Sequence, residues 1–150
     1  MTVKQVIVVR KDLNMPVGKL LAQVSHASMA FMTSYLRFAK PNDSSVDPYH
    51  VGYSTGHLTK LWPERRCIDV DEEMALWIDG AFTKVVVTVP DEQTLLAVYT
   101  AARTQGLRHK LITDEGRTVF GGVPTNTCIA IGPNFIERVD SVTKTLPLYR

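Results

Sequence analysis

Lys19, Gln23 and His26 recur at intervals of four and three within the stretch NMPVGKLLAQVSHASMAF, residues 14–31. On a helix turning about 100° per residue these three share one arc roughly 60° wide, and Leu20, Val24, Ala27 and Phe31 share a second. The second arc is a core stripe. The first is a polar line at the edge of that core, flanked by Ala22 and Ala30, whose small side chains leave room for an approaching group. An ammonium, an amide and an imidazole in a line could hold an anionic group or, through His26, serve as a base. Lys19 is the only formal charge of the stretch, and it falls near the helix start. The peptide dipoles already make that end positive, so a cation there costs a few tenths to about 1 kcal/mol unless an anion faces it. The same spacing is also that of a boundary face meeting solvent, the reading that spacing alone favours, so spacing suggests a site without establishing one.

Other chemistry-bearing residues are sparser. His50 and His57 are seven apart with no cysteine nearby, a poor pattern for zinc. Cys67 and Cys128 lie far apart and read as reduced thiols of an intracellular protein. The net charge of +2 announces no polyanion partner, although a local basic patch would be hidden in that sum. There is no apolar run of about 18 residues, so no membrane span is expected. The first strand begins by residue 3, leaving no room for a signal peptide, and the cytoplasm is the expected location.

Four strands and four helices would have to position these groups. Residues 3–9, VKQVIVV, have the β-branched, apolar character of a strand buried on both faces. A polar connector, RKDLNMP, leads to a helix from about Pro16 to Phe38. Residues 40–66 are rich in Pro, Gly, Ser and Asp without a period and read as a surface insertion. DVDEEMALWIDG is a short helix with acidic residues in its first turn, and TKVVVTV is a second buried strand. PDEQTLLAVYTAARTQG is an amphipathic helix ending at Gly106, RHKLIT a third strand, DEGRTVFGGVPTN a loop and TCIAIGP a fourth strand. NFIERVDSVTKTL closes the chain as a helix started by Asn134. Strands alternating with helices define one α/β sheet with helices packed on it, within a single domain spanning residues 1–150.

Several of these segments together carry a resemblance. KQVIVVRKDLNMPVGKLLAQVSHASM resembles the amino-terminal signature of type-2 peptidyl-tRNA hydrolases, the archaeal and eukaryotic type, in which a buried strand passes through R-x-D-L-x-M to a helix reading G-K-x-x-A-Q-x-S-H-A. Arg10, Asp12, Leu13, Met15, Gly18, Lys19, Ala22, Gln23, Ser25, His26 and Ala27 occupy those places. FTKVVVTVPDEQTLLAVYTAARTQGL is similar to the family's second strand and following helix, LITDEGRTVF to L-I-x-D-A-G-R-T, and TNTCIAIGP to R-T-V-L-A-I-G-P. Glu115 stands where alanine is usual and Asn126 where arginine is frequent, and the middle segment, at about 40–66, is longer than the family's.

The resemblance implies a three-layer α/β domain with a mixed four-stranded sheet and helices on both faces, usually a homodimer, needing no metal or organic cofactor. It implies hydrolysis of the ester joining a peptide to the terminal ribose of tRNA, which frees the tRNA for reuse. By correspondence the catalytic candidates are Lys19, Asp114 and Thr127: Asp114 to orient or deprotonate water, Thr127 to position it, and Lys19 to offset the oxyanion or hold the Asp114 charge. Gln23, Ser25, His26 and Arg117 are supporting or substrate-binding candidates. Arg10, Lys11, Arg108 and Lys110, near predicted strand ends, are candidates for tRNA phosphates. In the insertion, Tyr49, Tyr53 and Trp62 with Arg65 and Arg66 could stack on an unpaired acceptor end, or form a variable surface loop. Two other functions fit the same fold: a non-catalytic binding protein, and a hydrolase of a different acyl ester.

Overall fold

The structure, a computed structural model, describes residues 2–38 and 66–150. Its elements are β1 (Val3–Arg10), α1 (Val17–Thr33), β2 (Arg37–Phe38), β3 (Arg66–Cys67), α2 (Glu72–Ile78), β4 (Lys84–Val89), α3 (Glu92–Thr104), β5 (His109–Asp114), β6 (Thr125–Phe135) and α4 (Ile136–Thr143). They fall into two compact units, Met1–Thr33 with Val70–Arg150, and Ser34–Asp69.

In the first unit four strands form one sheet in the order β4-β1-β6-β5. β1 runs parallel to β4 and antiparallel to β6, and β6 runs antiparallel to β5. The sheet is therefore mixed. The two central strands are buried on both faces, which is why β1 reads as an almost continuous apolar run. One face packs Ile7, Val9, Cys128 and Ala130 under Ala27 of α1, with Leu20 and Val24 alongside. The other packs Val6, Val8, Ile129 and Ile131 against Leu95, Val98 and Ala102 of α3 and Val139 of α4. Trp77 of α2 meets Phe31 of α1 edge to face at 5.2 Å, so α2 joins the α1 layer. Helices on both faces of a mixed sheet make three layers, the architecture that the family resemblance implies.

Caps act where the residue types predict. The Asp71 carboxylate accepts from Met74 N at 2.9 Å to start α2, and Asp91 accepts from Thr94 N at 2.7 Å to start α3. The free edge of β4 is covered by the last residues, where Thr88 N donates to Pro147 O at 2.9 Å and Tyr149 N to Val86 O at 3.0 Å.

Three boundaries depart from expectation. The first helix stops at Thr33, not Phe38, and Arg37–Phe38 instead pair antiparallel with Arg66–Cys67 within the second unit. The apolar stripe of α1 ends with Phe31, so beyond it no buried face holds the helix while a strand partner is available. The last strand runs on to Phe135 because β1 still offers Lys4 and Val3 as partners, opposite Asn134 and Phe135. Asn134 consequently lies in a strand and does not cap the closing helix: its amide donates to Glu73 Oε1 at 3.2 Å, and α4 begins at Ile136 without a side-chain cap. The inserted segment with His50, His57, Tyr49, Tyr53, Trp62 and Arg65 lies outside the described residues.

Candidate active site

Antiparallel pairing of β5 with β6 places the last residue of one beside the first residues of the other, Asp114 opposite Thr125. The chain leaving β1 at Arg10 turns through Asp12–Pro16 and starts α1 over this same end of the sheet. Lys19, the third residue of α1, then reaches across to β5. Its ammonium donates to Asp114 Oδ2 at 2.5 Å and to Thr118 Oγ1 at 3.2 Å, and lies 5.6 Å from the centre of the Phe120 ring. Each side chain of the pair is only 14% exposed.

The Asp114 carboxylate is heavily engaged. Oδ2 also accepts from Gln23 Nε2 at 2.9 Å, and Oδ1 accepts from Gly116 N at 2.8 Å. Gly116 makes that contact with φ 79°, and a Cβ there would stand 2.4 Å from Val123 O, so the turn requires glycine. The Lys19 hydrogen bond is the main reason the Asp114 carboxyl is held below its ordinary range, with help from Gly116 and Gln23 and opposition from partial burial. The anion missing from the neighbourhood of Lys19 in the linear sequence is thus Asp114. It offsets the unfavourable position of a cation at a helix start.

Gln23 was expected at the edge of the core and is inside it, 2% exposed. Its Oε1 accepts from Thr127 Oγ1 at 2.7 Å. Thr127 is itself fully buried, because the β5–β6 register shifts between Ile112 and Thr113. Ile112 opposes Cys128 and Thr113 opposes Asn126, leaving Thr127 as the extra residue of a bulge. Strict alternation would send Thr127 and Cys128 to opposite faces. The bulge turns both toward α1, where Cys128 Sγ lies 3.5 Å from Gln23 O. Burial pushes the Cys128 thiol up to about 12, so it is no nucleophile.

A cleft of about 340 Å³ opens beside this cluster, lined on one wall by Lys19, Gln23 and His26 and on the other by β5 and the loop after it, from Ile112 to Thr118. His26 lines the cleft as an exposed residue of α1, whereas Ser25 is exposed outside it. Arg117 lines the mouth, 81% exposed and 2.6 Å from Glu115 Oε2. Thr118 was not singled out from the sequence. It is the closing threonine of the segment LITDEGRTVF that matches L-I-x-D-A-G-R-T, which was the available signal, and only the fold sets it beside Lys19.

The basic candidates divide. Arg10 grips Asp12 with both ends of its guanidinium, at 3.1 and 2.7 Å, and donates to Asn126 O at 3.0 Å. Arg108 precedes β5, at the end of that strand opposite Asp114, and pairs with Asp71. Both are engaged in pairs within the fold, and neither lines the cleft. Lys11 and Lys110 are exposed. Asn126, where arginine was frequent, ties the same corner together: its amide donates to Glu92 Oε1 at 2.8 Å, and its Oδ1 accepts from Thr113 Oγ1 at 2.6 Å.

An acid held beside a lysine at the open end of a sheet, with a cleft against it, makes a candidate catalytic site on a three-layer α/β fold. The fold recurs in a protein of unknown function from Agrobacterium, with TM-score 0.52 and 14% identity over 100% of this chain and 99% of that one. The family described as Peptidyl-tRNA hydrolase PTH2 matches residues 3–149. Curated relatives include the peptidyl-tRNA hydrolase of Methanopyrus kandleri, 35% identical over 98% of each chain. That of Sulfurisphaera tokodaii is 33% identical over 99% of each. The mouse mitochondrial peptidyl-tRNA hydrolase 2 is 35% identical over 97% of this chain, which spans 63% of its length. The chain belongs to the PTH2 family of peptidyl-tRNA hydrolases. Among the described residues no helix is long and apolar enough to cross a membrane.

Proposed function

We propose that this protein hydrolyses the ester bond of peptidyl-tRNA, releasing free tRNA and a peptide. The observation that carries this reading is the Lys19–Asp114 pair, closed at 2.5 Å and facing a cleft, in a chain of this family. Asp114 Oδ1 accepts one backbone hydrogen bond and keeps a lone pair for water. The water oxygen attacks the ester carbonyl carbon, and charge builds on the carbonyl oxygen. The Lys19 ammonium, partly buried at the edge of the cleft, offsets that charge. The carbon–oxygen bond to the ribose then breaks. The peptide leaves as a carboxylic acid that ionises, and the ribose oxygen takes a proton.

A carboxyl held below its ordinary range is a weak base, so Asp114 chiefly orients the water. Arg117 at the cleft mouth, with exposed Lys11 and Lys110, supplies the tRNA phosphate contacts. His26 borders the cleft and contacts substrate, while Ser25 supports the helix surface beside it. The reading extends to a cytoplasmic homodimer, as the family resemblance implies.

The test is release of free tRNA from an N-blocked aminoacyl-tRNA by the purified chain. Free aminoacyl-tRNA and a simple aryl ester serve as comparators. Selective turnover of the blocked substrate is expected. Hydrolysis of the aryl ester alone, or binding of tRNA without turnover, would replace this reading.

A further inference from the structure

We propose that Thr127 and Gln23 form a positioning relay for Asp114, in which Thr127 fixes the orientation of the Gln23 amide, Gln23 holds the Asp114 carboxylate, and neither the Thr127 hydroxyl nor its methyl touches substrate. The inference rests on the hydrolytic reading above and reassigns Thr127 from a water ligand to a support.

Three distances trace the chain of contacts: Thr127 Oγ1 to Gln23 Oε1 at 2.7 Å, Gln23 Nε2 to Asp114 Oδ2 at 2.9 Å, and Lys19 Nζ to the same Oδ2 at 2.5 Å. A glutamine amide has a donor end and an acceptor end, and nothing in its shape distinguishes them. Beside a carboxylate only the donor end is attractive. Thr127 reinforces that choice, since its hydroxyl donates to Gln23 Oε1 at 2.7 Å, with Ile112 O farther away at 3.3 Å. Rotating the amide would set Oε1 against the carboxylate and turn Nε2 toward Thr127 Oγ1, whose proton would then fall back on the longer contact to Ile112 O. Thr127 is fully buried, Gln23 is 2% exposed, and Thr127 does not line the cleft, so its hydroxyl is set behind Gln23 rather than facing the cleft. The bulge at Thr127 exists on this account to deliver a hydroxyl to α1.

Other titratable groups around Asp114 are Lys19 and His26 from α1, Glu115 and Arg117 from the loop after β5, and Cys128 from β6 behind Gln23. None of them contacts the Thr127 hydroxyl except Cys128, whose sulfur is 3.8 Å away and stays protonated.

The experiment is a double-mutant cycle with Thr127→Val and Gln23→Met, accompanied by Thr127→Ser, on the full chain. Each of the first two variants is expected to lower kcat roughly 10- to 100-fold, as for a lost hydrogen bond to a charged group, with KM within about twofold. The double variant is expected to be no slower than Gln23→Met alone, and Thr127→Ser to stay near wild type. A double variant slower by the product of the two single effects overturns the relay, because Thr127 would then act on water itself.

Carbon NMR of the Asp114 carboxyl gives a readout independent of turnover. Its titration midpoint is expected to rise in Thr127→Val and equally in Gln23→Met, and to stay put in Thr127→Ser. An unchanged midpoint in both overturns the proposal. Thr127→Ala takes the place of Thr127→Val if the latter fails to fold. Midpoint shifts in the two variants, together with no hydrolysis by the wild-type chain, would retire the hydrolytic reading and keep the relay.

Discussion

Lys19 Nζ and Asp114 Oδ2 meet at 2.5 Å across 95 residues of sequence, each side chain 14% exposed, one at a helix start and the other at a strand end. The contact joins two layers of the fold and closes the back of the cleft. Removing one partner leaves the other charge stranded, so Lys19→Met is expected to cost about 1–3 kcal/mol of stability. Lys19→Met with Asp114→Asn should recover most of that loss. Each single variant should lower kcat by roughly 10²- to 10⁴-fold while folded. Denaturant titrations and steady-state kinetics check both statements, and near-normal turnover in a folded Asp114→Ala chain would remove Asp114 from the mechanism.

The pH dependence follows from the same contact. The Lys19 hydrogen bond lowers the folded-state value of Asp114 below its ordinary 3.8. A lowered value means that the stabilisation is fully present above the unfolded pKa and is lost as pH falls through the folded one. The stability difference between wild type and Asp114→Asn should therefore be flat from neutral pH to about 5, and should shrink only below about 4. The acid limb of kcat/KM should likewise lie below the ordinary carboxylate range. An acid limb centred near pH 6 would point to a titrating group other than Asp114.

Arg117 and Glu115 form an exposed pair at the cleft mouth, at 2.6 Å. Arg117→Ala should raise KM for peptidyl-tRNA and reduce the slope of log KM against log salt by about 1, the signature of one lost phosphate contact. Glu115→Ala should do the reverse by releasing Arg117, lowering KM and steepening the slope. Equal slopes in all three proteins would show that Arg117 meets no phosphate.

Arg10 and Arg108 should behave differently from Arg117. Their guanidinium groups are committed to Asp12 and Asn126 O, and to Asp71. Alanine at either position is expected to lower the melting temperature and to leave the salt slope of KM unchanged. A shallower slope in Arg10→Ala would return that residue to the substrate surface.

Gly116 offers a test of the loop that supports Asp114. With φ 79° and Val123 O only 2.4 Å from a Cβ position, Gly116→Ala must distort the turn. The Gly116 N–H to Asp114 Oδ1 bond is lost with it. Expected are a destabilisation of more than about 1 kcal/mol and a fall in kcat larger than the change in KM. A variant with unchanged kcat would show that the backbone donor is dispensable.

Much of this protein is legible in the linear chain because periodicity reports burial. Apolar β-branched runs mark β1 and β4, acidic residues at a helix start mark α2, amphipathic spacing marks α3, and one stripe on α1 names Ala27 and Phe31 as core. The family signatures name Lys19, Asp114 and Thr127 as a set, since residue types at fixed spacing survive without coordinates. Three things required the tertiary structure. Periodicity placed Gln23 beside the core, but the bulge and the sheet end bury it, and a one-residue register shift leaves no trace in local sequence. Charge alone made Arg10 and Arg108 resemble Arg117, and only long-range pairing with Asn126 and Asp71 distinguishes their surroundings from those of the cation at the cleft. The reason a lysine stands at a positive helix end is the most distant of all. Its anion comes from another layer of the fold, and only the antiparallel pairing of β5 with β6 beneath α1 brings Asp114 within hydrogen-bond reach of Lys19.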